Sequence, residues 1–134
     1  MKNFLLLFIL LACSCSLPDD EIAFNESLLG KWKITSAIEQ NNGTDCIGLK
    51  FDYGEITFEA VNGEKGQFLI VFGNNQGDVT EERIQYNFMK ESFFMQFNDD
   101  QEADMTNNGN ALTMFGAKMT FNSIDFTEIL AERI

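Results

Sequence analysis

Lys31-Trp32-Lys33-Ile34-Thr35-Ser36-Ala37-Ile38-Glu39 is the stretch whose reading decides the fold. In an extended chain, Trp32, Ile34, Ser36 and Ile38 fall on one side and Lys31, Lys33, Thr35 and Glu39 on the other. A period of two with one wet face is the mark of a half-buried antiparallel strand. The same pattern recurs down the chain. Ile56, Phe58 and Ala60 alternate with Glu55, Thr57 and Glu59; Ile84, Tyr86 and Phe88 alternate with Arg83, Gln85 and Asn87. Met119 and Phe121 alternate with Lys118, Thr120 and Asn122. From Ser92 to Asn98, Phe93, Met95 and Phe97 share a side, while Phe94 interrupts the polar one. Phe68 to Phe72 is apolar on both sides and is expected to be covered on both.

Turn formers separate these runs: Asn41-Asn42-Gly43, Tyr53-Gly54, Asn62-Gly63, Asn74-Asn75-Gln76-Gly77, Asn107-Asn108-Gly109 and Asn122-Ser123. Asn-Gly pairs supply the positive φ angles of tight hairpins, and signals about ten residues apart describe an antiparallel meander. No stretch holds a helical period over ten residues, although Ser27 to Gly30 suits one helical turn. Ile124 to Ile134 reads as a last strand, with a short helix over Phe126 to Arg133 as the open alternative. The expected fold is all-β, a small antiparallel up-and-down β-barrel of about eight strands, because closure removes unpaired sheet edges. An eight-stranded interior is either just filled by side chains or holds one small ligand. Phe68, Phe88 and Phe97 are the candidates to line such a pocket, with plain core packing as the alternative.

Ahead of the strands stands a different kind of sequence. Lys2 precedes an unbroken apolar run from Phe4 to Ala12. Nine helical residues rise only ~14 Å, against a hydrocarbon layer of ~30 Å, so a spanning helix is disfavoured. A positive start, a short apolar core and then small residues describe a secretory signal. Leu10-Leu11-Ala12-Cys13 resembles the bacterial lipoprotein signal, in which the cysteine becomes the lipidated first residue. That resemblance implies a signal peptide over 1–12, a lipidated Cys13, and a tether over 13–26 leading to a barrel domain over 27–134. An ordinary cleaved signal peptide is the alternative. The acyl chains would anchor the protein to a bilayer without spanning it. Ser14 after the cysteine looks like outer-membrane cargo. Asp19, Asp20 and Glu21 resemble the export tract of surface lipoproteins in the Bacteroidota, or form a solvated acidic tether.

Composition narrows the chemistry. The 134 residues carry nine Lys plus Arg against 21 Asp plus Glu and no His, a formal charge of −12. Loss of residues 1–12 would leave 122 residues and, without Lys2, a charge of 8 − 21 = −13. Such a chain is repelled by phosphate backbones, which excludes nucleic acid as a partner. The missing histidine removes Ser-His-Asp and Cys-His catalysis and His-ligated metals. After Cys13, two thiols remain, Cys15 and Cys46; in an oxidising envelope they either pair, closing a loop of about 30 residues, or stay apart. The acidic run Asn98-Asp99-Asp100-Gln101-Glu102-Ala103-Asp104 lacks the glycine and final glutamate of an EF-hand and reads as a solvated hairpin loop. No metal, cofactor or catalytic group is expected.

Leu28-Leu29-Gly30-Lys31-Trp32-Lys33-Ile34 resembles the opening of lipocalin-like domains in bacterial lipoproteins, where a helical turn leads into G-x-W on the first strand. Gly30 and Trp32 occupy those positions. The resemblance implies that Trp32 closes one end of the barrel and that Arg133, from the last strand, packs over its indole. It implies a monomeric outer-membrane lipoprotein that binds rather than catalyses. Its target would be a small apolar ligand inside the barrel or a partner at the cell envelope. A pocketless structural or inhibitor-type protein is the alternative: a solid core with an exposed apolar patch would favour it, an internal cavity the former.

Overall fold

The computed structural model describes residues 20–88, 94–98 and 100–134. The signal segment, Cys13, Cys15 and Phe93 lie outside them. A helix, α1 (Asp20–Ser27), precedes eight strands: β1 (Gly30–Glu39), β2 (Tyr53–Asn62), β3 (Lys65–Gly73), β4 (Val79–Phe88), β5 (Phe94–Phe97), β6 (Gln101–Asn107), β7 (Ala111–Phe121) and β8 (Ile124–Arg133). Each strand pairs antiparallel with the next, and β8 returns to β1, so the sheet closes as an up-and-down barrel. The last segment is therefore strand, not helix. Asn122 and Ser123 both take positive φ between the partners Phe121 and Ile124, as a two-residue hairpin loop demands.

Inward positions follow the alternation with two informative exceptions. On β1 the buried residues are Trp32, Ile34 and then Ala37, not Ser36 and Ile38, which are only half-buried. A bulge between Ile34 and Ser36, in the pairing with β8, advances the inward face by one residue. On β7, Leu112 and Met114 point in, and so do Met119 and Phe121. Between Phe115 and Met119 the register jumps, so that Gly116, Ala117 and Lys118 face the single Thr127. The freed carbonyl of Ala117 accepts from Gln40 Nε2 at 2.7 Å.

Three other expectations change. Tyr53-Gly54 is not a turn but the start of β2. Gly54 is buried there, and a Cβ would stand only 3.0 Å from both Ile34 and Phe72, so the close packing suits glycine. Phe68–Phe72 is covered on one face only. Leu69 and Val71 are half-buried on the outside, shielded by the stems of Thr57, Arg83, Glu55 and Glu81, their cross-strand partners. From Gln101 onward the acidic run is not loop but strand β6, whose Ala103 is buried.

The interior is aromatic. Phe58, Phe68, Phe72, Phe88, Phe121 and Phe126 are fully buried, and with Tyr86 and Phe97 their ring centroids lie 5.3–6.3 Å apart in a continuous chain of contacts. Burying each such side chain contributes about 1.5–3 kcal/mol, with edge and stacked pairs adding to it. Both mouths are covered. The connection between β1 and β2 folds over one, with Phe51 stacked 4.8 Å from Phe72. Helix α1 lies over the other, where Phe24 meets Phe88 edge-on and Leu28 is fully buried.

Candidate functional site

Four regions bring chemistry-bearing residues together, and the α1 mouth is the most polar inside. Residues 20–26 fall in the stretch read as tether, yet 20–27 are helical. Eight residues are too few for a stable isolated helix. Docking therefore supplies the stability. Asn25, fully buried, donates from Nδ2 to the carbonyls of Gly63 (2.9 Å) and Lys65 (2.8 Å). Its Oδ1 accepts from the Tyr86 hydroxyl at 2.6 Å. Burial pushes the Tyr86 phenol well above its usual range, so it stays a donor.

Arg133 and Trp32 finish that mouth. They are direct cross-strand partners, and the guanidinium carbon stands 4.0 Å from the indole centroid. The same guanidinium donates to the carbonyls of Leu29 (3.0 Å), Ser27 (2.6 Å) and Gly109 (3.2 Å), while Trp32 Nε1 donates to Leu28 O at 2.9 Å. Carbonyls left over at the helix end thus find donors from β1 and β8. Gly30, at φ 117°, lets the chain turn from helix to strand with Arg133 Nη1 only 3.4 Å from where a Cβ would stand. The Gly30–Trp32–Arg133 group seals the barrel end, and outside it Arg133 borders a shallow cleft with Asn108, Asn110 and Glu132.

The three proposed pocket residues are packed inside. Phe68 touches Phe58, Tyr86 and Phe121; Phe88 touches Phe24 and Tyr86; Phe97 stacks on Phe121 at 5.3 Å. Phe68 and Phe88 are fully buried, and rings rather than open space surround them.

At the opposite mouth, Cys46 is 1% exposed. Its thiol lies 3.8 Å from Glu39 Oε2, and Glu39 in turn pairs with Lys50 at 3.0 Å around a small cleft of about 140 Å³. Burial first, then the Glu39 carboxylate, pushes the thiol up, so it is a poor nucleophile. Cys15, the other half of the expected bridge, lies outside the described residues. Helix α1 docks at one end of the barrel and Cys46 at the other. Cys46 lies beside Ala37, seven residues or ~23 Å along β1 from Gly30, whereas five residues before Asp20 reach at most ~18 Å. With α1 docked, Cys46 is expected to be a free thiol. Peptide mapping of the unreduced protein should give no Cys15–Cys46 peptide, and dithionitrobenzoate should react with Cys46 only after unfolding. Rapid reaction of Cys46 in the folded state would contradict this account.

A broad cleft lies on the outside. An open groove of about 920 Å³ is lined by Phe94, Asp104 and Phe115, and also by Asp100, Glu102 and Lys118 along the β7 bulge. Phe94 is 42% exposed and Phe115 56%, on a surface whose other outward positions are mostly polar. Neither was a candidate from sequence; the one signal was Phe94 breaking the alternation of its strand. Among the described residues, no group of three or more Cys, Asp and Glu is close enough to hold a metal ion.

These features define a closed eight-stranded barrel with sealed ends and an apolar, acid-rimmed outer groove. No family model matches the chain, and no curated protein does. Among solved structures it is similar to a de novo designed fluorescence-activating β-barrel. The TM-score is 0.51 at 9% identity, covering 82% of this chain and 96% of the designed one. At that identity the likeness shows the fold alone.

Proposed function

We propose that this chain is a lipocalin-like lipoprotein, anchored at the bacterial outer membrane through Cys13, that works by binding a partner on the outside of its barrel. One observation carries the reading: the interior is occupied by packed aromatic rings and capped at both ends, while a broad groove and the exposed phenylalanines Phe94 and Phe115 face outward. Exposed apolar surface rimmed by polar groups is what partner sites commonly look like. The signal-like segment with Cys13 supports envelope anchorage. The Gly30, Trp32 and Arg133 arrangement supports the lipocalin-like assignment. A small apolar ligand inside the barrel is the second reading; the likeness to a barrel designed for fluorescence activation favours it.

Native mass spectrometry of the full-length protein from its own host separates the two. A co-purifying protein and no retained small molecule is the expected result; a stoichiometric small molecule would turn the assignment to the second reading. Anchorage has its own test. Cys13→Ala is expected to move the protein from the membrane fraction to the soluble fraction, since the acyl chains supply the attachment. Continued membrane attachment of that variant would remove the lipoprotein assignment.

A further inference from the structure

Phe94, Asp104 and Phe115 are consecutive cross-strand partners on β5, β6 and β7, and all three face outward. Adjacent strands lie ~4.8 Å apart, so the two phenylalanine Cα atoms stand about 10 Å apart with a carboxylate-bearing residue between them. That spacing matches a planar cation between two rings, each centroid ~4–5 Å from it, above an anion. The surroundings reinforce the sign. Among the described residues, Asp100, Glu102 and Asp104 line the groove against Lys118 alone, and Glu128 continues the row as the cross-strand partner of Phe115. Lys118 enters no ion pair among the described residues. The β7 bulge at Gly116–Lys118 helps shape the groove wall, a common use of bulges beside binding sites.

We propose that this row is the docking site for an arginine-bearing, extended segment of a partner protein, its guanidinium between Phe94 and Phe115 and facing Asp104. Arginine fits better than lysine because its guanidinium is planar, weakly hydrated and stacks on rings. A peptide segment fits better than a free metabolite because the groove is open, whereas small-molecule sites bury most of their ligand. The proposal rests on the outer-surface reading of function, and its test needs neither the native partner nor membrane anchorage. A failure here with a partner recovered from the host would move the docking site and leave that reading standing.

The test is fluorescence anisotropy of the purified full-length protein with labelled Ala-Arg-Ala-Arg-Ala, against the same peptide with both arginines replaced by neutral citrulline. The citrulline peptide is expected to bind at least about tenfold more weakly, since it keeps the shape and loses the charge. Phe115→Leu keeps an apolar side chain but loses the ring, and is expected to weaken arginine-peptide binding about threefold to fivefold. Asp104→Asn should do likewise. Glu55→Gln, which removes one charge on β2 across the barrel, should change affinity less than about twofold. Both outward-facing groove variants should keep the wild-type circular dichroism spectrum. Equal weakening by Phe115→Leu and Glu55→Gln would reduce the effect to general attraction by an acidic protein and overturn the proposal. So would an absence of binding at about 1 mM peptide. Arginine amide binding as tightly as the peptide would replace the partner segment with a small cation and overturn it as well.

Discussion

Asn25→Leu is expected to destabilise the barrel more than any other change to a polar side chain. The variant leaves the Tyr86 hydroxyl without its partner in a buried place, and the carbonyls of Gly63 and Lys65 without theirs in a half-buried one. The orphaned hydroxyl costs about 1–3 kcal/mol and each lost bond to a half-buried carbonyl about 0.5–1.5 kcal/mol, so the expected total is about 2–6 kcal/mol. In a domain of this size that is a fall in Tm on the order of 15 °C. A second substitution shows where the cost arises. Tyr86→Phe on the Asn25→Leu background removes one orphan and should recover part of the loss, a coupling that a double-mutant cycle measures. Alkaline pH gives an independent readout. The folded-state pKa of Tyr86 is raised above its unfolded value near 10 by burial. The stability this contributes is full below about pH 10 and is lost as pH climbs past it, because the unfolded chain then releases the proton the folded one holds. Tyr86→Phe should flatten that alkaline loss. A cost below about 1 kcal/mol for Asn25→Leu would mean that α1 is not held by these bonds.

Which parts of this were legible in the chain follows from how each is encoded. Strands written as plain alternation, such as Arg83 to Phe88, and turns written as Asn-Gly or Asn-Ser, are local signals and appear where expected. The bulges are not local. Ala37 replaces Ser36 on the inner face because of how β1 registers on β8, and a single strand read alone carries no such information. Helix α1 is hidden for a related reason. Its eight residues lack a helical stripe, and its fixed position comes from Asn25, whose partners lie 38 and 40 residues away for the carbonyls and 61 away for the hydroxyl. Trp32 and Arg133 were legible as a pair through the lipocalin-like resemblance, and the cross-strand register places them together. The outer groove was least legible. Phe94 and Phe115 are 21 positions apart, and only pairing both through Asp104 makes them neighbours.

Phe68→Ala is expected to cost about 3–5 kcal/mol, the range for removing a ring from a core that cannot collapse into the gap. Phe68 sits where collapse is hardest. Phe58, Tyr86 and Phe121 hold it at centroid distances of 5.4–5.8 Å, and each belongs to a different strand of a closed wall. The space left behind would be lined by these rings and by no unsatisfied polar group, so it should stay dry and accept a small apolar guest. Benzene or xenon should therefore raise the Tm of Phe68→Ala by mass action on the folded state and leave the wild type unmoved. This contrast bears directly on function. A native barrel holding its own apolar ligand would keep some interior space, would lose less than about 1.5 kcal/mol on the substitution, and would respond to the same guests before any mutation. A large loss with guest binding confined to the variant is the outcome that fits a filled barrel. It would leave the outer face, where Phe94 and Phe115 are exposed beside carboxylates, as the surface on which this protein acts.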